Sequence, residues 1–490
     1  MAATLSGQSQ HAVRQAGLLA LQRAAQIGAG LLYVALVPRA MGPEVFGQLI
    51  TLQAISMWFT RLSGLGAVAL MTRYVPEFVR RGDHDGLRKL TGSLLALRLT
   101  TGLIGAVVYF GIVQWWLHDL DRTVVALVAL TITLRSAANL SFTVLLGLNQ
   151  GSRWGAAELV RRLLAIPLIY AGVRSSGLAG ACVALGLVEG SVLCLGLWWS
   201  RGYLGSPLRL DRPFLEPFLR FSAMFFASNL LFMFFEQGGT PLVRLIAGDY
   251  AEAGYYAIAF GAYLAGAEAL WKLLSGFGPL FSSLRIRGDI RELQAWIRRL
   301  LQALAVCGVV VAGFLYGCAD WLVALVLGPE YRPVATLLPW LAIAGLAAGP
   351  GSIARVLSVN FDQGRISLVA AAAQLACFAI VGWILIPRIG SVGGCVAVVA
   401  AASVFSLYST WRIRSSISYS MRPWAEMVIL GAACSPVFLV SNDFGPLRFA
   451  LFLAVFIGAA AAMGFVRASD GRMLWRAVRY APPRSETEAL

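Results

Sequence analysis

Nine ionisable residues stand inside otherwise apolar stretches: Arg23, Arg61, Arg98, Arg135, Glu189, Glu236, Glu268, Lys272 and Arg355. A charge in hydrocarbon costs from about 3 to more than 10 kcal/mol, so it normally faces a partner or a water-filled path. Arginine in such a place suits a phosphate or diphosphate, because its planar fork makes two parallel hydrogen bonds and stays charged in a pocket. A carboxylate there suits gating or proton uptake. These residue types point to holding and moving an anion, not to making bonds. The sequence shows no Gly-x-x-x-x-Gly-Lys-Ser/Thr loop, hence no ATP motor of its own, and no zinc-ligand spacing or nucleophile elbow. The expectation is a non-enzyme with no catalytic residues, no metal and no cofactor, in which H+ or Na+ coupling is one source of drive.

Position decides which of the nine matter. Arg61 lies fourteen residues past Gly47, about 21 Å along a helix. The stretch from Arg39 to Asp83 recurs after Arg244, and matching Gly47 to Gly254 sets Glu268 opposite Arg61. Lys272 follows Glu268 at i+4, the order that suits a helix. Arg61 and the Glu268/Lys272 pair are expected to face one another across a path; the competing reading is an ion pair that ties helices together. Arg135, about 20 Å into its helix, has Asn139 one turn on and is the other strong phosphate candidate. Arg98 and Arg355 lie nearer the cytoplasmic side, where snorkelling competes. Arg355 also follows Gly349-Pro350-Gly351, a break that opens backbone groups to a site. Arg23 stands in the first turns of its helix. Glu236, in the outer part of its helix, and Glu189, in the middle of its own, are coupling or gating candidates against the alternative of satisfied interhelical contacts. Gly64-Leu65-Gly66 is expected to bend the helix that carries Arg61.

Helices must hold these charges in place. The 490 residues are 58% hydrophobic and 13% charged, with a mean hydropathy of +0.73, whereas soluble chains run at roughly 45–50% apolar and 25% charged. Fourteen apolar runs are long enough to span: 17–38, 45–70, 90–116, 122–148, 156–174, 177–199, 217–240, 252–276, 300–327, 333–357, 366–386, 391–411, 424–441 and 445–466. Lipid offers backbone groups no partners, and no barrel-like alternation occurs, so the fold class is an all-α polytopic membrane protein. The net charge of +16 is carried mostly by alternate loops, such as those with Arg80, Arg81 and Arg88, or Arg412, Arg414 and Arg422. The loops between carry about one arginine each: Arg39, Arg122, Arg174, Arg332, Arg388 and Arg448. This asymmetry predicts cytoplasmic N- and C-termini and makes the basicity a topology signal, not a nucleic-acid footprint. The polar Met1–Gln15 leads into no cleavage site, so it does not read as a signal peptide. All seven cysteines fall in predicted helices, which argues against a disulfide framework.

Repeats organise the rest. Besides the Arg39/Arg244 match, Arg153 pairs with Arg365 and Cys182 with Cys395, at offsets of 207, 212 and 213 residues. Six spans separate the copies, an even number, so the repeat is parallel, with a pseudo-two-fold axis along the membrane normal and a cleft between two bundles. The expected domains are an N-lobe at 1–200, a cytoplasmic linker at 201–216, a C-lobe at 217–411, two extra helices at 412–466, and a basic, polar cytoplasmic tail at 467–490.

Three motifs carry a family resemblance. The Arg-x-x-Gly-Pro-Glu-x-Phe-Gly loop (Arg39, Gly42, Pro43, Glu44, Phe46, Gly47), the Leu-Gly-Leu-Asn-Gln-Gly close at 146–151, and the turn with Ile386, Pro387, Ile389, Gly390 and Gly393 resemble bacterial polysaccharide-biosynthesis flippases. That family is similar in fold to the lipid II flippase and the multidrug and toxin extrusion exporters. The resemblance covers about residues 15–411. It implies a two-lobed inner-membrane transporter that moves an undecaprenyl-diphosphate-linked oligosaccharide (an O-antigen or exopolysaccharide unit) to the periplasmic leaflet by alternating access. It also implies contact with membrane lipids and with a polysaccharide polymerase or export machinery, and no nucleic-acid partner. Two other readings stand beside it: an ion-coupled drug exporter on the same fold, and a membrane-embedded glycan polymerase. The short outer loops weigh against the polymerase.

Overall fold

Eight glycines adopt positive φ, which costs an L side chain about 1–2 kcal/mol and glycine little. Six of them form three pairs at the repeat distance. Gly42 and Gly248 (φ 72° and 75°) lie 206 residues apart, and so do Gly82 and Gly288 (68° and 76°); Gly177 and Gly390 (58° and 57°) lie 213 apart. Even the residues before the last pair agree, Ser176 at φ −149°, ψ 23° and Ile389 at φ −134°, ψ 21°. The duplication read from sequence is therefore written into the backbone.

A computed structural model of the chain describes residues 2–64, 66–148, 150–205, 211–361, 363–439 and 445–463. Every regular element among them is helical. The α-helices are α1 (Ala2–Leu62), α2 (Ala67–Arg81), α3 (His84–Trp116), α4 (Arg122–Gly147), α5 (Gly151–Ser200), α6 (Arg212–Ala247), α7 (Tyr250–Ser275), α8 (Gly278–Arg287), α9 (Ile290–Val326), α10 (Pro333–Asn360), α11 (Gly364–Arg414), α12 (Arg422–Cys434) and α13 (Gly445–Ala462). α1, α5 and α11 each break at one of the paired glycines, so each supplies two arms. Eight helical stretches among the described residues are long and apolar enough to cross a membrane. α1, α6 and α12, which the sequence reading also assigns to the membrane, are not among these eight. α12 has only 13 residues before a 3-10 turn at Ser435–Leu439.

Boundaries differ from expectation in three places. The span expected at 45–70 stops at Leu62, because Gly66 turns left-handed (φ 72°) and the chain restarts as α2. α2 is amphipathic: Leu70, Met71 and Val75 pack on Leu140 and Val144 of α4, while Arg73, Arg80 and Arg81 face outward. α8 follows α7 in the same way, and the capping glycines of α2 and α8 are the pair Gly82 and Gly288. α6 begins at Arg212, inside the expected linker, and runs to Ala247. The expected tail at 467–490 lies outside the described residues.

The cores follow the duplication. One cluster is built from residues between Val37 and Val192 plus Tyr250, another from residues between Leu70 and Val144 plus Leu215. Two more draw on residues between Phe235 and Tyr419. α12 and α13 pack on α9 through Val309, Cys434, Phe452 and Phe456.

Candidate functional site

The halves meet most closely at the arginine-poor end. Gly47 of α1 lies so near Tyr250 that a Cβ on it would fall 1.8 Å from the Tyr250 carbonyl oxygen. Its repeat-mate Gly254 sits on the other side of the same crossing, where a Cβ would come 2.8 Å from the Pro43 oxygen. Around this contact Arg244 pairs with Asp119 at 3.0 Å, and the Tyr250 hydroxyl donates to the same carboxylate at 3.1 Å. The Arg244 guanidinium also covers the Tyr250 ring at 3.9 Å. Arg39 donates to the Leu325 carbonyl, and the Tyr331 hydroxyl donates to the Pro38 carbonyl at 2.8 Å.

Below this closure, Arg61 reaches across the halves and pairs with Glu236 of α6 at 3.5 Å, with side chains 48% and 36% exposed. The sequence reading had placed Glu268 opposite Arg61; the ion-pair partner is Glu236. α6 extends to Ala247, which puts Glu236 eleven residues from that end, about 16 Å in and not near the outer surface. The rings of Trp58 and Phe234 lie 5.6 Å apart between the same two helices. Arg61 closes its arm of α1 in the last turn, where a cation complements the helix dipole.

Two charged nests flank this pair. In the first half, Glu189 on the second arm of α5 is 6% exposed and is shared by Arg135 of α4 at 3.4 Å and Arg161 of α5 at 3.3 Å. Arg161 also donates to Glu158 at 2.7 Å, and Arg162 lies 3.6 Å from that carboxylate. Arg135 is within electrostatic reach of Arg61. In the second half, Arg355 of α10 is sandwiched between the rings of Phe232 (4.1 Å) and Trp271 (4.2 Å), from α6 and α7. Glu236 is within electrostatic reach of Arg355 and Glu268 as well as Arg61. Glu268 and Lys272 pair with each other on the exposed face of α7.

Two expected site residues fall elsewhere. Arg98 neither snorkels nor faces a path: it is 5% exposed and donates to the carbonyls of Ser136 (3.0 Å) and Gly64 (3.2 Å). It fastens α3 to α4 and to the turn after α1, because burial leaves those carbonyls as the partners in reach. Arg23 belongs to α1, and its side chain lies outside the described residues. Sequence reasoning missed Arg161 and Arg162, counted as loop charges. The i+3 and i+4 spacing from Glu158 was the signal that they belong to a helical network. It also missed Phe232 and Trp271, which nothing in an apolar sequence distinguishes from packing residues. Among the described residues, no group of three or more His, Cys, Asp or Glu side chains is placed to hold a metal.

Two repeated helical halves that pack through glycine at one end and meet at ionisable groups below it define a multi-pass membrane protein of transporter architecture. The polysaccharide biosynthesis protein family matches residues 123–336, in agreement with the motif resemblance. No curated protein matches the chain. Among solved structures, the lipid II flippase MurJ in an inward closed conformation aligns with a TM-score of 0.70 at 11% identity, over 92% of this chain and 98% of that one. A multidrug resistance MATE family transporter of the MOP superfamily aligns at 0.61 in its inward-facing conformation, with 14% identity over 82% of this chain and 98% of that one. An outward-facing structure described in the same terms scores 0.55 at 14% identity, over 82% of this chain and 95% of that one. At these identities the likeness establishes the fold alone.

Proposed function

We propose that the chain is a flippase for an anionic lipid-linked glycan, an undecaprenyl-diphosphate-linked oligosaccharide carried from the cytoplasmic to the periplasmic leaflet of the bacterial inner membrane. In this reading the arginine-rich end and both termini are cytoplasmic, and the contacts around Gly47 and Gly254 close the periplasmic side. The headgroup enters from the cytoplasm and meets Arg61, Arg135 and Arg355. It competes with Glu236 for Arg61 and loosens the tie between the halves. The lipid tail stays in the bilayer. Glu236, Glu268 and Glu189 are the gating and coupling carboxylates, and H+ or Na+ the candidate coupling ions.

The observation that carries this reading is Arg61, joined to Glu236 across the halves and within reach of Arg135, so that one cation links both nests. Among the described side chains of the seam, Arg61, Arg135, Arg161, Arg162, Arg355 and Lys272 outnumber Glu158, Glu189, Glu236 and Glu268, six cations to four carboxylates. That balance favours an anionic cargo over the cationic drugs of the exporter reading. Nearby polymerase or export proteins are the expected partners.

The test uses purified protein in liposomes that carry a fluorescent undecaprenyl-diphosphate oligosaccharide and an impermeant quencher outside. The inner-leaflet pool is expected to become quenchable with the wild-type protein and not with Arg61→Ala at equal incorporation. No acceleration for the glycan lipid, together with proton-driven movement of a cationic dye, would replace this reading with the exporter.

A further inference from the structure

Apart from the seam, one cavity of about 750 Å³ opens among α10, the second arm of α11 and the start of α12. This volume is within the range of about 300–1,000 Å³ that ligand sites occupy. Its walls are mostly apolar, with Leu407, Trp411, Met421 and Trp424 among them. A polar stripe runs down one face of α11 through Ser403, Ser406, Thr410 and Arg414, at helical spacing. From Ser403 to Arg414 the helix rises about 16 Å, close to half of a hydrocarbon core of roughly 30 Å. The cavity is therefore about one leaflet deep.

Its mouth is electropositive and its interior carries spare polar capacity. Arg414 is exposed and makes no ion pair or hydrogen bond among the described residues, whereas neighbouring Arg422 is held by Glu426. The first turn of the 13-residue α12, with Met421, Trp424 and Ala425, also lines the mouth; its amides are taken by the Ser420 hydroxyl and the Met421 carbonyl, and its dipole adds positive potential there. Inside, the indole N–H of Trp424 finds no hydrogen-bond partner among the described residues.

We infer that this cavity is a binding site for one anionic phospholipid of the leaflet at the arginine-rich end, its phosphate on Arg414 and an acyl chain against Leu407, Trp411 and Trp424. Charge complementarity selects the occupant: the mouth has a free cation and no free carboxylate, and lipid is the medium around these helices. A zwitterionic lipid brings its own cation to the same place and gains less. The lipid would lie against Pro350 and Ser406, whose hydroxyl accepts from the Gly351 N–H at 2.9 Å and so ties α11 to α10. Gly351 lies one turn from Arg355, so the occupant would steady the helix that carries it.

The experiment is native mass spectrometry of the full chain released from mixed phosphatidylglycerol and phosphatidylcholine membranes. The wild-type protein is expected to retain phosphatidylglycerol preferentially. Arg414→Gln should lower that preference about fivefold, as for loss of one basic residue near an anionic surface. Arg412→Gln, whose guanidinium rests on Trp411, should leave the preference in place, and Leu407→Trp, which fills the cavity, should reduce retention of both lipids. Equal retention in wild type and Arg414→Gln would overturn the inference, as would capture of a prenyl-diphosphate lipid that phosphatidylglycerol fails to displace. A shared elution profile for the four proteins controls for folding.

Discussion

The two halves keep an arginine at membrane depth by opposite means. In the first, Arg135 and Arg161 share the buried carboxylate of Glu189, so charge is met by charge. In the second, Arg355 lies between Phe232 and Trp271 and has no ion pair among the described residues. An aromatic sandwich lets a guanidinium shed water without losing its charge, which ion pairing does not. The first nest is built to hold its shape and the second to stay positive. Arg61 stands between them, its partner borrowed from the other half. Duplication supplied two equivalent scaffolds, and the side chains then diverged in what they do with a buried cation.

Removal of Glu189 should test that contrast hardest. Glu189→Gln strands Arg135, while Arg161 keeps Glu158, and loss of one partner of a buried pair costs about 3 kcal/mol or more. A marked fall in the thermal midpoint of the detergent-purified protein is the expected outcome. A midpoint unchanged from wild type would show that the first nest is as open as the second.

The glycine crossing comes next. Gly47→Ala places a methyl on the Tyr250 carbonyl, whereas Gly254→Ala meets the Pro43 oxygen at a longer distance. Overpacking of this kind costs about 2 kcal/mol, charged against the closed arrangement alone. In a cysteine-free background, Cys residues at Asp119 and Arg244 should be joined readily by a short bifunctional thiol cross-linker with Gly47 present, rarely with Gly47→Ala, and at an intermediate level with Gly254→Ala. Equal cross-linking in all three would mean that this contact does not close the arginine-poor end.

Much of this scaffold was legible beforehand. Apolar run length announced the helices, and Gly42, Gly82, Gly177 and their partners are the positions where only glycine bends cheaply. Intruding charges in apolar runs are also visible in one dimension. What the sequence hides is pairing across halves. A repeat offset aligns Arg61 with Glu268, but the carboxylate that pairs with Arg61 comes from a different helix, Glu236 of α6. Arg98 failed for a related reason. Whether a long side chain snorkels or bonds a neighbour depends on which carbonyls the packing brings near.

The aromatic cage predicts a smaller and more specific effect. Arg355→Lys keeps the charge and loses the planar contact with both rings, worth about 1 kcal/mol. Glycan-lipid transfer should slow several-fold while thermal stability barely moves. The equivalent change in the first nest, Arg135→Lys, should reverse that order, with a lower midpoint as the main effect. If both lysines behave alike, the distinction between a shape-holding nest and a charge-holding nest is wrong.

The weakest effect on stability, and the finest test, belongs to Glu268 and Lys272. Both side chains are largely exposed, at 64% and 47%, and they pair at i+4 on one helix. Exposed pairs of this type contribute about 0.3–0.5 kcal/mol, and salt screens them. Glu268→Gln, Lys272→Gln and the double variant should therefore unfold within a degree or two of wild type. Transfer of the glycan lipid is another matter. Glu268 repels the Glu236 carboxylate, so its neutralisation favours the seating of Glu236 on Arg61. The halves should then part less easily, and Glu268→Gln should slow transfer while Lys272→Gln does not. A double-mutant cycle separates the possibilities. If the two residues act only as a surface pair, transfer rates of all three variants match wild type and the cycle closes on zero. If Glu268 acts through Glu236, its effect persists in the Lys272→Gln background and disappears in the Glu236→Gln background.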